Sequence, residues 1–376
     1  MLHVTARRTY DALHATEKGR LSFSRRANAA ETTGLALDLS GQVFLEYALI
    51  GDTLLTWTIS DGTLHLMRRP LKRDDFVRTV ERAGAALEAN ADPDAIPPEL
   101  ERLYDWLIRP AQARDFLGAA GTPLVIVADG EIARVPFAVL RDRSRGRYLT
   151  EDRTIRFAAS LADAARPADT SPPGPALLVG NPKFDRHSHA WLDPLDGAAA
   201  EVEALRRIYP GANVLSDSDA TRSAFAEAAP RAGIIHYAGH AVFDDTRPER
   251  SYLLFAGEDT SGHLTAEAVD SLDLRGVRLV VLSACRTLRA RDGRAGGFAG
   301  LSGALLGAGA GGVVGSVWNV SDSLSKPLML AFHREYARRP GNPAEALRQA
   351  QLSMLRHRDP ALHSPSVWGG IRYVGR

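Results

Sequence analysis

The chain contains a single cysteine, Cys285, and a histidine, His240, stands forty-five residues before it. A thiol attacks a carbonyl carbon well only after losing its proton, and an imidazole can take that proton and later hand it to a leaving amine. Both residues close runs that read as buried strands. Val277-Arg278-Leu279-Val280-Val281-Leu282-Ser283-Ala284 leads into Cys285, and Gly233-Ile234-Ile235-His236-Tyr237-Ala238-Gly239 leads into His240. Two adjacent parallel strands would bring the pair together at one sheet edge. Each residue also has a plainer reading. A lone cysteine after an apolar strand is also what a small buried hydrophobe looks like, and many histidines are structural. His236 shares the side-chain parity of His240 but sits mid-strand among apolar residues, so it is assigned to the core. One thiolate with no ligand-like spacing argues against zinc, and no metal site or cofactor is expected. Backbone N–H groups at Cys285 and at Ala241 are candidates for stabilising an oxyanion.

The elements that must position these residues follow from the pattern. Val43–Ile50 and Leu54–Ile59 are β-rich runs joined through Gly51-Asp52, a hairpin, with a third run near Leu64–Met67. Residues 73–90 and 97–117 carry apolar residues at helical spacing. Leu124–Ala128 is a short strand. The segment from Ala165 to Pro175, rich in Pro, Ser and Asp, is the clearest linker. Beyond it, strands at 176–180, 213–215, 233–238, 251–256, 279–283 and 312–317 alternate with helices at 197–208, 220–229, 265–272 and 298–307. Helices near 322–338 and 343–357 and a strand at 368–374 complete the chain. This alternation predicts an α/β fold with a mainly parallel sheet covered by helices on both faces. Function in such sheets gathers at the carboxyl ends of the strands, where His240 and Cys285 fall. The expected division is an N-terminal helical stub or linker at 1–34, an α+β region at 35–170 and a catalytic region at 171–376.

Bulk properties narrow the class. A net charge of +1 over 376 residues, with acids and bases interspersed, argues against a nucleic-acid surface. One cysteine excludes an intrachain disulfide. No signal-peptide order opens the chain, and the uncharged stretch 295–321 has nine glycines among its 27 residues, too many for a membrane span. A cytoplasmic enzyme or binding protein is expected. Gly307-Ala308-Gly309-Ala310-Gly311-Gly312 formally matches a dinucleotide fingerprint, but the glycines follow a helix and precede a strand, the wrong order for nucleotide binding.

The segments HYAGH (236–240), LVVLSACRT (279–287), GLSGALLGAGAGGVVGSVWNVSD (300–322), PAEALRQAQ (343–351) and VWGGIRYVG (367–375) resemble, in that order, CHAT proteases. These are caspase-like cysteine peptidases related to separase and found in many bacteria. LVIVADGEIARVPFAVL (124–140), YLTEDRTIRFAASL (148–161) and VFLEYALIGDTLLTWTI (43–59) resemble the segments that precede the catalytic half. The likeness spans roughly residues 36–376, and the His-before-Cys spacing of about 50 residues is the caspase order.

The resemblance implies a caspase-like fold with a smaller pseudo-protease-like half ahead of the catalytic one. It implies His240 as base and Cys285 as nucleophile of a cysteine endopeptidase that cleaves a specific protein partner through a thioester. It places Ser316-Val317-Trp318-Asn319 beside the substrate groove and Ser283 in the first specificity pocket. Asp185, Asp193, Asp196 and Asp322 are acids that would favour a basic residue there, with Asp322 preferred because it follows the groove-bordering stretch. The same likeness suggests a role in bacterial defence or regulated cell death, with a gasdermin-like effector as substrate and an activating protein partner. Relatives usually carry Gly where this chain has Ala241 and commonly Glu where it has Arg286, and helical repeats that commonly precede the domain are missing. These departures keep open a second class, a pseudo-protease acting as a protein-binding scaffold.

Overall fold

A computed structural model describes residues 41–376, except 91, 93, 129, 165–173, 194, 245, 285, 286, 289–299 and 321 and the side chains of 196, 322 and 323. The stub at 1–34, Cys285 and Arg286 therefore lie outside the described residues. The chain opens with an antiparallel meander of β1 (Val43–Ile50), β2 (Thr53–Ser60) and β3 (Thr63–Pro70). Asp61 and Gly62, at φ 47° and 72°, close its second hairpin in the left-handed conformation that a two-residue turn demands. Helices α1 (Arg73–Ala89) and α2 (Pro98–Leu107) follow, then β4 (Leu124–Val127), the small hairpin β5 (Arg141–Asp142) and β6 (Arg147–Tyr148), and β7 (Ile155–Ala158).

Beyond the linker come β8 (Ala176–Pro182), α3 (Asp196–Ile208), β9 (Asn213–Asp217), α4 (Arg222–Ala228) and β10 (Ile234–Ala238). A side sheet of β11 (Ala241–Val242), β12 (Tyr252–Leu254) and β13 (His263–Thr265) is inserted before β14 (Leu279–Ser283). The chain ends with α5 (Leu301–Gly307), β15 (Gly312–Ser316), α6 (Asp322–Arg338), α7 (Pro343–Leu355) and β16 (Ile371–Gly375). Shorter helical turns carry no label.

Eleven strands form one sheet in the order β3-β2-β1-β4-β7-β16-β15-β14-β10-β8-β9. Its interior strands are mainly apolar, and β4 and β10 are buried at every position, which is the signature of a sheet sandwiched by helices. The expected α/β fold is thus observed. The direction of the strands adds something the pattern did not carry. β1, β4, β7 and β16 run parallel to one another, and β16 is antiparallel to β15, which is parallel to β14, β10, β8 and β9. The parallel strands of the two halves therefore point opposite ways, and their carboxyl ends open on opposite edges of the sheet.

The closing strand is a central strand joining the halves. It begins at Ile371, three residues later than the pattern indicates, because a one-turn helix takes Pro365–Trp368. Arg372 on it is 3% exposed and donates to the carbonyls of Ala133, Arg134 and Val135, with its guanidinium 4.8 Å from the Phe157 ring centre. Burial pulls its pKa down to about 9, which leaves it charged at neutral pH. Arg156 of β7 reaches back to the Gly375 carbonyl. Three other expectations change. The helix expected over 97–117 ends at Leu107, shortly before Pro110. The run 251–256 is a strand only over Tyr252–Leu254 and belongs to the side sheet. β7, hidden between charged residues, is an additional strand of the main sheet.

Candidate active site

β10 and β14 lie side by side in parallel register, Ile234 opposite Leu279 through Ala238 opposite Ser283. Beyond that last pair the chain reads Gly239-His240 on one strand and Ala284-Cys285 on the other.

The His240 side chain is half-buried, and its Nε2–H donates to the Asp193 carbonyl at 2.9 Å. A carbonyl only accepts, so the neutral ring keeps its lone pair on Nδ1. The edge of the Phe184 ring packs against the imidazole at 5.3 Å and 89°. Burial lowers the His240 pKa below 6.5; the Asp193 carbonyl and carboxylate oppose this, while Arg186 and His189 add to it. The ring is therefore mainly neutral at physiological pH, the state in which it accepts a proton.

The main chain of His240 is fixed as firmly as its ring. Its carbonyl accepts from the Leu254 N–H at 2.9 Å. The buried Tyr237 hydroxyl, with one proton to give, lies 2.6 Å from the Leu254 carbonyl and 2.9 Å from that of His240. Gly239 makes this possible, because a Cβ there would fall 2.6 Å from Cζ and Oη of Tyr237. Ala241 sits opposite Leu253 in β11. Since the Leu254 N–H serves His240, that pair is of the non-hydrogen-bonded kind, and the ladder leaves the Ala241 N–H facing away from β12. Alanine is accommodated here as an ordinary strand residue.

The described residues on either side of Cys285 and Arg286 converge on Ser316. Its hydroxyl donates to the Ala284 carbonyl at 2.9 Å, its N–H to the Thr287 hydroxyl at 3.1 Å, and its carbonyl accepts from the Leu288 N–H at 2.8 Å. Ser316 is 3% exposed. Its polar atoms brace the backbone that flanks Cys285. Trp318 lies two residues further on. It is buried, its Nε1–H donates to the Ser366 carbonyl at 2.8 Å, and a Cβ on Gly370 would fall 2.5 Å from its ring. Ser283 is half-buried at the end of β14, and Asp322 opens α6 with its side chain outside the described residues. Sequence reasoning missed the Asp193 carbonyl, a backbone atom with no residue-type signal, and Tyr237, whose apolar strand position masks its hydroxyl. Among the described residues no group of three or more His, Cys, Asp or Glu is placed to hold a metal ion, and no helix is long and apolar enough to cross a membrane.

The strand order and this edge define a caspase-like α/β protein. The chain belongs to the CHAT domain family, whose domain matches residues 97–376. It is 26% identical to human (Homo sapiens) tetratricopeptide repeat protein 28 over 94% of its own length and 28% identical to the Mus musculus protein over the same share. It spans only 16% of either relative. Among solved structures it is similar to Saccharomyces cerevisiae separase in complex with securin, with a TM-score of 0.58 at 9% identity, covering 89% of this chain and 30% of that one. A protease-like or protein-interaction role follows from this fold and family.

Proposed function

We propose that the chain is a cysteine endopeptidase acting through His240 and Cys285. The observation that carries this reading is the hydrogen bond from His240 Nε2 to the Asp193 carbonyl, which fixes the ring and leaves Nδ1 as the proton acceptor at the edge where β14 ends. In the proposed reaction the Cys285 thiol gives its proton to Nδ1, and the thiolate attacks the carbonyl carbon of the scissile peptide bond. The Ala241 and Cys285 N–H groups stabilise the oxyanion. The imidazolium then protonates the leaving amine, the C–N bond breaks and a thioester remains. Water, deprotonated by His240, hydrolyses the thioester and frees the thiol. Ser283 borders the pocket for the residue at the cut, and Asp322 would favour a basic one. The proposed setting is cytoplasmic, with a protein substrate such as a gasdermin-like defence effector and an activating protein partner.

His240→Ala and Cys285→Ala are each expected to lower cleavage at least ~10³-fold while leaving the circular dichroism spectrum unchanged. Cleavage retained by purified Cys285→Ala sinks the assignment. A protein-binding scaffold is the second reading, favoured by Ala241 and Arg286 at positions where relatives differ. The rate of Cys285 alkylation by iodoacetamide near neutral pH separates the two. An activated thiolate labels fast, and a structural thiol labels slowly.

A further inference from the structure

Resting on the peptidase reading, we propose that Trp191 is a substrate-recognition residue, its indole taking an apolar side chain of the polypeptide beside the scissile bond. Trp191 is 62% exposed, far more than any other large hydrophobic residue described. It stands on the loop that leaves the carboxyl end of β8, and this loop is tightly braced. The Asp185 carboxylate accepts from the N–H of His187 at 2.8 Å and from the N–H and hydroxyl of Ser188 at 3.4 and 2.6 Å. The Ser188 hydroxyl also lies 2.8 Å from Asp259. His189 is buried, donates from Nδ1 to the Asp185 carbonyl at 2.9 Å and meets His263 through the two Nε2 atoms at 2.9 Å, while His263 stacks on Tyr252. The Leu192 N–H then returns to the His189 carbonyl at 3.0 Å, closing a turn with Trp191 near its tip. The turn that presents the indole is therefore fixed, and little backbone freedom remains to be lost when something packs on it.

Its position identifies the occupant. Asp193, two residues on, gives its carbonyl to the His240 ring. Two residues of extended chain span at most about 7 Å, whereas four span about 14 Å. Side chains three or four residues from a cut made at His240 are thus within reach of Trp191. A large, rigid aromatic surface of this kind recognises aliphatic or aromatic groups, and such residues commonly dominate the affinity of an interface.

The test uses the whole chain and a positional library of fluorogenic tetrapeptide amides. Wild type should prefer an apolar residue at one position of the library. Trp191→Ala should flatten that preference and raise KM roughly 10-fold with kcat near wild type, and Trp191→Phe should restore most of it. The rate of Cys285 alkylation by iodoacetamide should not change. An unaltered preference and KM overturns the proposal. A joint fall in kcat and alkylation rate also overturns it, since the loop would then be supporting the base alone. If wild type cleaves no member of the library, the same peptides carrying fluorescein are measured against Cys285→Ala by anisotropy, which tests recognition by Trp191 apart from the peptidase reading. Weaker binding after Trp191→Ala supports the recognition role, and equal or absent binding overturns it.

Discussion

The two halves of the sheet are built by the same means and finished differently. In both, short apolar strands run parallel and are buried on both faces, yet the residues just past their carboxyl ends are unlike. After β4 comes Ala128, and after β7 come Ala159 and Ser160. The Ser160 hydroxyl is occupied in capping a one-turn helix, accepting from the Asp163 N–H at 3.0 Å. At the opposite edge, the ends of β8, β10, β14 and β15 lead to the braced loop, to His240, to Ala284 and to Ser316. Strand physics alone therefore does not make a site. What distinguishes the second half is a histidine whose ring and carbonyl are both fixed, and a serine that ties down both flanks of the only cysteine. Because the strands of the halves run oppositely, the first half cannot lend its own carboxyl ends to that edge.

The comparison breaks first at the junction. Arg372 is a buried cation that serves three carbonyls of the first half from the strand that completes the second. Arg372→Leu strands those carbonyls and is expected to cost about 3 kcal/mol of stability, measured as a shift in the urea midpoint. A loss below about 1 kcal/mol would mean that the sheet ladder alone joins the halves. Next comes a matched pair of glycines. Gly239→Ala drives a methyl into the buried Tyr237 ring, which is expected to cost about 1–3 kcal/mol and, by releasing the His240 carbonyl, to lower cleavage more than ~10-fold. Gly84, inside α1, has no neighbouring atom within 4 Å of where a Cβ would stand, so Gly84→Ala should gain up to about 1 kcal/mol. Equal effects in thermal melts would contradict the close fit of Gly239 against the Tyr237 ring.

Much of this arrangement was legible in the residues. β8, β10, β14 and β15 announce themselves because interior parallel strands are predominantly apolar runs, and Gly239 and Ala284 mark where β10 and β14 end. The His-then-Cys order follows from the same reading. Nonlocal pairing was not legible, and so β16 read as a closing strand when it is the central one. Two- and three-residue strands such as β11 and β12 lack the length for a period to show. The burial of Ser316 and Trp318 was not legible, because residue type and motif position do not reveal which side chains the fold covers. The Asp193 carbonyl could not have been found at all, since any residue at that position supplies one.

β10 carries one histidine, His236, and a second, His240, stands two residues past its end. His236 is fully buried, with Nδ1 3.0 Å from Nε2 of the buried His333, whose Nδ1 is 2.9 Å from the Tyr209 hydroxyl, and with Nε2 2.9 Å from Glu201 at a poor hydrogen-bonding angle. Burial, reinforced by His236, holds the His333 pKa well below 6.5. The folded state therefore keeps His333 neutral while the unfolded chain takes up a proton as pH falls below about 6.5. Stability from this group is complete above that pH and is lost on acidification, by up to about 1.4 kcal/mol per pH unit for one proton. Urea midpoints measured at pH 7.5 and 5.5 should fall for wild type and fall less for His333→Gln, which retains a polar side chain without a titrating ring. An identical decline in both proteins would assign the acid sensitivity to other groups and leave the pair beneath the strand as packing alone.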